Sequence, residues 1–201
     1  MTFATIDALR ESLAQPPHRT PEYAARMLHN VPEAAVVDRA KFLLERAKGK
    51  IVLDVGASGP MHEGLVQVAA KCHGIDRDGA GDVLNLDLDD VTAALPEFPG
   101  VELIVCGEIL EHLGNPSWFL TRLRKAYPGV PVIVTAPNAF SEIARRHMEG
   151  GTENVNHDHC SWYSWKTLKT LAERAGYTAR EFYWYGAGRP GFTEGLIFVL
   201  E

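Results

Sequence analysis

From Ile51 onward, short aliphatic and β-branched runs alternate with stretches of helical periodicity. The runs are Ile51 to Val55, Cys72 to Ile75, Val83 to Leu86, Val101 to Val105 and Val130 to Val134. A strand that is apolar at successive residues is buried on both faces, a condition met by a parallel sheet with helices on either side. The pattern therefore predicts an α/β fold. Two further runs, Ala179 to Tyr185 and Leu196 to Leu200, are separated only by the turn residues Gly186 to Gly195 and are expected to pair as an antiparallel hairpin at the sheet edge. Between the strands, Asn115-Pro116 caps a helix over Ser117 to Tyr127, and Ser164 caps one over Trp165 to Ala175 that stops at Gly176.

The texture before Lys50 is helical instead. Thr20-Pro21-Glu22 reads as an N-cap with proline in the first turn, leading into Tyr23, Met27 and Leu28. After a break at Asn30 to Pro32, a second pattern places Ala35, Val36, Ala40, Leu43 and Leu44 on one face and ends at Gly49. With 201 residues the chain is expected to form one domain, residues 1–49 being a helical lid and 50–201 the core.

Composition narrows the class of ligand. The chain is 46% hydrophobic and 23% charged, as globular proteins are, and its net charge of −6 leaves no basic footprint for nucleic acid or an anionic membrane. A small neutral or cationic ligand is expected. Cys72, Cys106 and Cys160 form no CxxC pair, which fits a reducing compartment. Met1 to Leu13 is interrupted by Asp7, Arg10 and Glu11, and no run approaches the roughly 18 apolar residues of a spanning helix, so a cytoplasmic protein is expected.

The most informative segment is Ile51-Val52-Leu53-Asp54-Val55-Gly56-Ala57-Ser58-Gly59-Pro60. A buried strand runs into a turn of small residues and then a helix, which lets the backbone approach a ligand closely and directs free N–H groups at it. A dinucleotide fingerprint starting at Gly56 would need glycine where Ser58 and Met61 stand, and no GK[ST] sequence supports a P-loop. A second acid, Asp76, ends the next strand roughly 20 residues on, where a carboxylate can accept both hydroxyls of a ribose.

Taken in order, Asp54-Val55-Gly56-Ala57-Ser58-Gly59, Gly74-Ile75-Asp76, Asn85-Leu86-Asp87, Cys106-Gly107-Glu108-Ile109-Leu110-Glu111-His112-Leu113 and Thr135-Ala136-Pro137-Asn138 resemble the class I S-adenosylmethionine-dependent methyltransferases. The resemblance runs from about Val36 to the C-terminus. It implies a Rossmann-like, doubly wound, mostly parallel sheet of seven strands with N-terminal helices. It also implies S-adenosylmethionine as cofactor and S-adenosylhomocysteine as product. Asp54 would reach the methionine amino group, Gly56, Ala57 and Ser58 would pass under the cofactor, and Asp76 would hold the ribose. Asp87 would accept from the adenine amino group, with Asp82 as competitor and Leu86 or Leu88 against the ring. Cys106, Gly107 and Glu108 would border the methionine portion. The structural alternatives are that Asp54 and Asp87 cap turns and that Cys106 is a buried apolar residue. At Ser58 and Pro60 the chain departs from the glycines usual in this loop.

Methyl transfer needs donor and acceptor aligned and, for a hydroxyl, a proton removed. The segment Asn154 to His159 supplies candidate bases, His159 first and His157 second, both titrating near neutral pH. His157-Asp158-His159 offers three metal-ligand atoms without a fourth, and no metal is assigned. On the family pattern Glu111 and His112 begin the helix after the fourth strand, where Glu111 is expected to hold the loop and His112 to pack beneath it. Asn138 and Tyr163 are candidate substrate contacts. The reading is a methyltransferase acting on a small-molecule acceptor, with oxygen favoured. The alternatives are a nicotinamide-dependent oxidoreductase, opposed by the missing glycines, and a non-catalytic cofactor-binding domain.

Overall fold

The structure is a computed structural model that describes residues 21–201. The expected cap Thr20 and the segment Met1 to Leu13 lie outside the described residues. The chain divides into two compact units, residues 1–32 and Glu33–Glu201. Within the first unit, Pro21–Met27 form a helix, α1.

The second unit is built on one eight-stranded sheet. Its strands are β1 (Val36–Val37), β2 (Ile51–Val55), β3 (Lys71–Asp76), β4 (Val83–Asn85), β5 (Leu103–Gly107), β6 (Val132–Pro137), β7 (Ala179–Tyr185) and β8 (Gly195–Leu200). Their order is β1-β7-β8-β6-β5-β2-β3-β4. Only β8 is reversed, antiparallel to both β6 and β7, so the expected Rossmann-like α/β fold and its antiparallel C-terminal hairpin are both present.

Side-chain alternation explains why the central strands are apolar throughout. Leu53, Val55, Ile104 and Cys106 point to one face, where they meet α4 (Pro116–Ala126) through Phe119, Leu120 and Leu123, and α6 (Trp165–Arg174) through Leu168 and Ala172. Val52, Leu103 and Val105 point to the other, against Leu43 and Ala47 of α2 (Arg39–Ala47) and Leu65 of α3 (Gly59–Val68). Helices thus cover both faces, as doubly apolar strands require.

The sheet departs from expectation at its edge. Val36 belongs to a strand rather than a helix face, and with Val37 it pairs in parallel with Trp184 and Tyr185, which makes eight strands where seven were expected. Two consecutive valines favour extended backbone, and Asp38 accepts from the Lys41 amide at 2.8 Å, so the helix starts only at Arg39. The expected caps Asn115 and Ser164 are in place, the latter in a reciprocal pairing with Thr167. An additional helix, α5 (Glu142–Glu149), is capped by Ser141. No helix among the described residues is long and apolar enough to cross a membrane.

Candidate active site

In the strand order, β2 is flanked by β3 on one side and β5 on the other, so the winding direction of the sheet reverses between β2 and β5. Chain segments diverge above such a point and leave a crevice at the carboxyl ends of the strands. A cavity of about 630 Å³ opens there, a size suited to a nucleotide-like ligand. Its wall includes Asp54, Gly56, Ala57, Ser58, Asp76, Asp87, Leu88, Gly107 and Glu108. The structure therefore brings nearly all the expected cofactor residues to one cavity. Cys106 is the exception, fully buried in the core beneath the wall, where burial raises its thiol pKa. Asp82 borders a separate, smaller cavity beside His73 and Phe98.

At the glycine turn, Gly56 has φ +80°, and a Cβ there would lie 3.2 Å from the Ile109 side chain. Both the backbone conformation and the close approach call for glycine. The amides of Gly56 and Ala57 both donate to the Ile75 carbonyl, at 2.9 and 3.0 Å. They are therefore not the free donors expected from the sequence, and what this turn offers is a low wall. Ser58 opens α3 without a side-chain cap bond.

The acids differ in environment. Asp54 is 4% exposed, and its Oδ2 lies 2.8 Å from His62 Nδ1. Burial raises the Asp54 pKa while His62 pulls it down, the burial effect being larger. Asp76 accepts from the Asp78 amide at Oδ1, 2.8 Å away, and turns toward the cavity at the end of β3. Asp87 likewise accepts the Asp89 amide at Oδ1, at 2.9 Å.

The other end of the cavity is formed after β5. Glu108 has φ +55°, alone among the described non-glycine residues in the left-handed region. It is held there by Thr135, whose carbonyl and Oγ1 accept the Glu108 amide and whose hydroxyl donates to Glu108 Oε1 at 2.8 Å. Arg39 Nη1 stands 3.9 Å from the same carboxylate oxygen. A non-glycine residue is kept in this sparsely populated region only where its surroundings over-determine it. Just beyond, a 3-10 turn over Leu110–His112 carries Glu111 and His112. The amides of Cys160 and Ser161 donate to the Glu111 carbonyl at 2.7 and 3.2 Å, which draws the loop containing His159 onto this turn. His112 Nδ1 meets Asp158 Oδ2 at 3.0 Å, and the His112 and His159 rings pack edge to face with centroids 4.5 Å apart. Burial, then the neighbouring His112, lowers the His159 pKa. Burial, reinforced by Glu108, pushes Glu111 up to about 8.

His112 and Asp158 line the main cavity, with His159 behind His112, and His157 is exposed in the adjoining turn. Tyr163 is buried, its hydroxyl donating to the Leu110 carbonyl, and burial takes its pKa up to about 12. Asn138 borders a second cavity of about 400 Å³ with Arg39 and Glu108. Its amide is already engaged: Nδ2 donates to the carbonyls of Gly191 and Thr193, and Oδ1 accepts from the Phe140 amide. The side chains of Asn138 and Tyr163 thus tie the loops behind the site together. Sequence reasoning missed Arg39 and His62 as members of the site, and had Asp158 only as the carboxylate of the candidate loop that carries His157 and His159. His62 alone had a usable signal, four residues past Ser58 in the helix that follows the glycine turn.

A doubly wound sheet with an acid-lined crevice at its switch point defines the class as a cofactor-binding α/β domain. The family model described as a methyltransferase domain matches residues 27–181. The chain belongs to that family, and its fold is that of the class I S-adenosylmethionine-dependent methyltransferases. No curated protein matches the chain in sequence. Among solved structures, the small RNA methyltransferase HEN1 aligns at TM-score 0.62 and 20% identity, over 87% of this chain and 27% of that one. This chain thus spans 27% of the length of that relative. An S-adenosylmethionine-dependent methyltransferase from Mesorhizobium loti aligns at TM-score 0.55 and 12% identity, over 80% of this chain and 94% of that one. The 1,6-didemethyltoxoflavin-N1-methyltransferase of Burkholderia thailandensis, with S-adenosylhomocysteine bound, aligns at TM-score 0.57 and 12% identity, over 80% of this chain and 75% of that one. At these identities the likeness is one of fold.

Proposed function

We propose that this chain, as one methyltransferase domain, moves the methyl group of S-adenosylmethionine to an oxygen of a small molecule. The observation that carries the reading is the placement of Asp76, at the carboxyl end of β3, on the same cavity wall as Asp54, Asp87 and the Gly56 turn. The residues fit the cofactor: Gly56 keeps the wall low, and the acids lie along one cavity large enough for a nucleoside and an amino-acid tail. Asp76 would accept the two ribose hydroxyls and Asp87 the adenine amino group, with Leu88 against the ring. Asp54, oriented by His62, would accept the methionine ammonium. Gly107 and Glu108 would border the methionine end.

The cofactor supplies an electrophilic methyl carbon on a sulfonium, and when the acceptor oxygen bonds to it the electron pair of the broken carbon–sulfur bond stays on sulfur. The chain's own tasks are alignment and removal of the hydroxyl proton. Glu108 and Arg39 stand where the acceptor enters, and the proton is lost at the Glu111, His112 and His159 cluster, of which His159 is the member expected from the sequence. The net charge of −6 and the acidic wall favour a neutral or cationic acceptor over nucleic acid.

The reading is tested by following S-adenosylhomocysteine release with a panel of phenols, catechols and hydroxy acids beside amines. Turnover confined to hydroxyl acceptors is expected, with the His159→Ala rate lower by about 10²- to 10⁴-fold. Turnover confined to amines, or a His159→Ala rate within twofold of wild type, would contradict it.

A further inference from the structure

The second cavity, of about 400 Å³, meets the cofactor cavity at Arg39 and Glu108, which line both. A molecule seated in it therefore has one end beside the methionine end of the first. Of the two side chains at this junction, Glu108 is already held by Thr135, whereas Arg39 is not committed. Its Nη1 is 3.9 Å from Glu108, too far for a hydrogen bond, and its Nε is buried without a partner among the described residues. The side chain as a whole keeps 27% of its surface exposed. A guanidinium carries five N–H donors, and one left unspent on a cavity wall is costly unless a ligand oxygen meets its outer nitrogens. Tyr185 fixes where these nitrogens stand, since the guanidinium lies over its ring, 5.7 Å from the centroid.

Much of the remaining wall is apolar and aromatic, supplied by Pro137, Ile143, Trp162 and Tyr185. Tyr185 is buried, but Trp162 is 37% exposed and Ile143 50%, so an indole and a branched side chain stand open at this cavity. An open indole is covered best by a flat ring, because aromatic pairs gain stability beyond the area they bury. The charged groups on the wall are one cation, Arg39, and two acids, Glu108 and Glu194. With no excess of positive charge, the partner that Arg39 calls for is a neutral oxygen rather than a carboxylate.

We infer that the second cavity binds the methyl acceptor as a neutral hydroxylated aromatic ring carrying a carbonyl group, with Arg39 donating to the carbonyl oxygen and Trp162 supplying the apolar wall for the ring. Because Arg39 stands at the junction, the carbonyl and the hydroxyl share the edge of the ring that faces the cofactor cavity. The fate of the hydroxyl rests on the methyl-transfer reading above, whereas binding of the ring does not. In the reaction the hydroxyl oxygen bonds to the methyl carbon, the carbon–sulfur electron pair stays on sulfur, and the proton passes to the histidine cluster.

The test uses the full chain saturated with S-adenosylhomocysteine and titrated by calorimetry with four probes of similar size. These are meta-hydroxyacetophenone, meta-ethylphenol, which lacks the carbonyl, meta-hydroxybenzoate, which is anionic, and meta-acetylcyclohexanol, which has no aromatic ring. The hydroxyacetophenone is expected to bind at about 1 mM or tighter, and about 10-fold or more tighter than each of the others. Arg39→Gln should weaken its binding by about 10-fold or more, to the level of the ethylphenol, whose own affinity stays unchanged. Trp162→Ala should weaken both of these phenols by about 10-fold, and Trp162→Phe should retain most of their affinity. Each variant is checked by thermal melt and for S-adenosylhomocysteine binding, which should persist. Equal affinity for the hydroxyacetophenone and the ethylphenol, or a preference for the anionic or the saturated probe, would overturn the inference. So would variants that leave the order and size of the affinities unchanged. Failure of every ring to bind would overturn it too, and in a protein that binds S-adenosylhomocysteine it leaves the methyltransferase reading standing. Ring binding without S-adenosylhomocysteine binding would instead count against the reading of the cofactor cavity.

Discussion

Asp76 accepts the Asp78 amide through Oδ1 and has its other oxygen available at the end of β3. A charged acceptor of two hydroxyl donors contributes about 1.5 to 3 kcal/mol per bond, so Asp76→Ala should weaken S-adenosylhomocysteine binding by at least about 10- to 100-fold. Because the side chain is at the surface of the cavity rather than in the core, the thermal midpoint should stay within about 2 °C of wild type. An affinity within twofold of wild type would remove the ribose assignment. Asp54, Gly56, Asp76 and Asp87 were legible because each is a local pattern, an acid or glycine at the end of an apolar run. The cluster around Glu111 was not. His112 meets Asp158, and Cys160 donates to Glu111, across nearly fifty residues, a pairing that exists only once β5 and the loop before α6 converge. The expectation of free amides at Gly56 and Ala57 failed for a related reason, since their acceptor, Ile75, is on the neighbouring strand.

Between elements, the contact of α2 with β7 is the most open to a pH test. Arg46 donates to both oxygens of Glu181, at 2.9 and 2.6 Å, and Tyr183 donates to the same carboxylate. The Arg46 bond and then the Tyr183 bond hold the Glu181 pKa down to about 2, below its ordinary value of 4.5. A depressed carboxyl pKa contributes stability above the unfolded value that is lost as pH falls through the folded one. Glu181→Gln should therefore be less stable than wild type at pH 7, and the difference should shrink below about pH 4.5 and vanish near pH 2. With side chains about one-third exposed, solvent screening limits the effect to about 1 kcal/mol. Urea unfolding at a series of pH values would show it, and a difference that did not change with pH would contradict the assignment. Element types and most caps were legible from periodicity, because a capping serine or asparagine and the helix it opens are neighbours in sequence. β1 was not, because two valines carry no period and become a strand only by pairing with Trp184 and Tyr185.

At the scale of the molecule, the order of strands decides where a ligand can sit. With β3 and β5 on opposite sides of β2, the loops after these strands part and leave the cavity, and helices on both faces keep the sheet rigid beneath it. The α/β class and the presence of a cofactor crevice were legible in the apolar strands and the small-residue turn. The second cavity bordered by Asn138 and Arg39 was not, since it depends on how the long loops after β6 and β7 meet. The central claim is that the crevice at the switch point binds S-adenosylmethionine and its product. Calorimetric titration of the purified chain with S-adenosylhomocysteine, run beside NAD, tests it most directly. Binding of one S-adenosylhomocysteine per chain with no heat from NAD is the predicted result. Binding of NAD alone, or of neither, would contradict it.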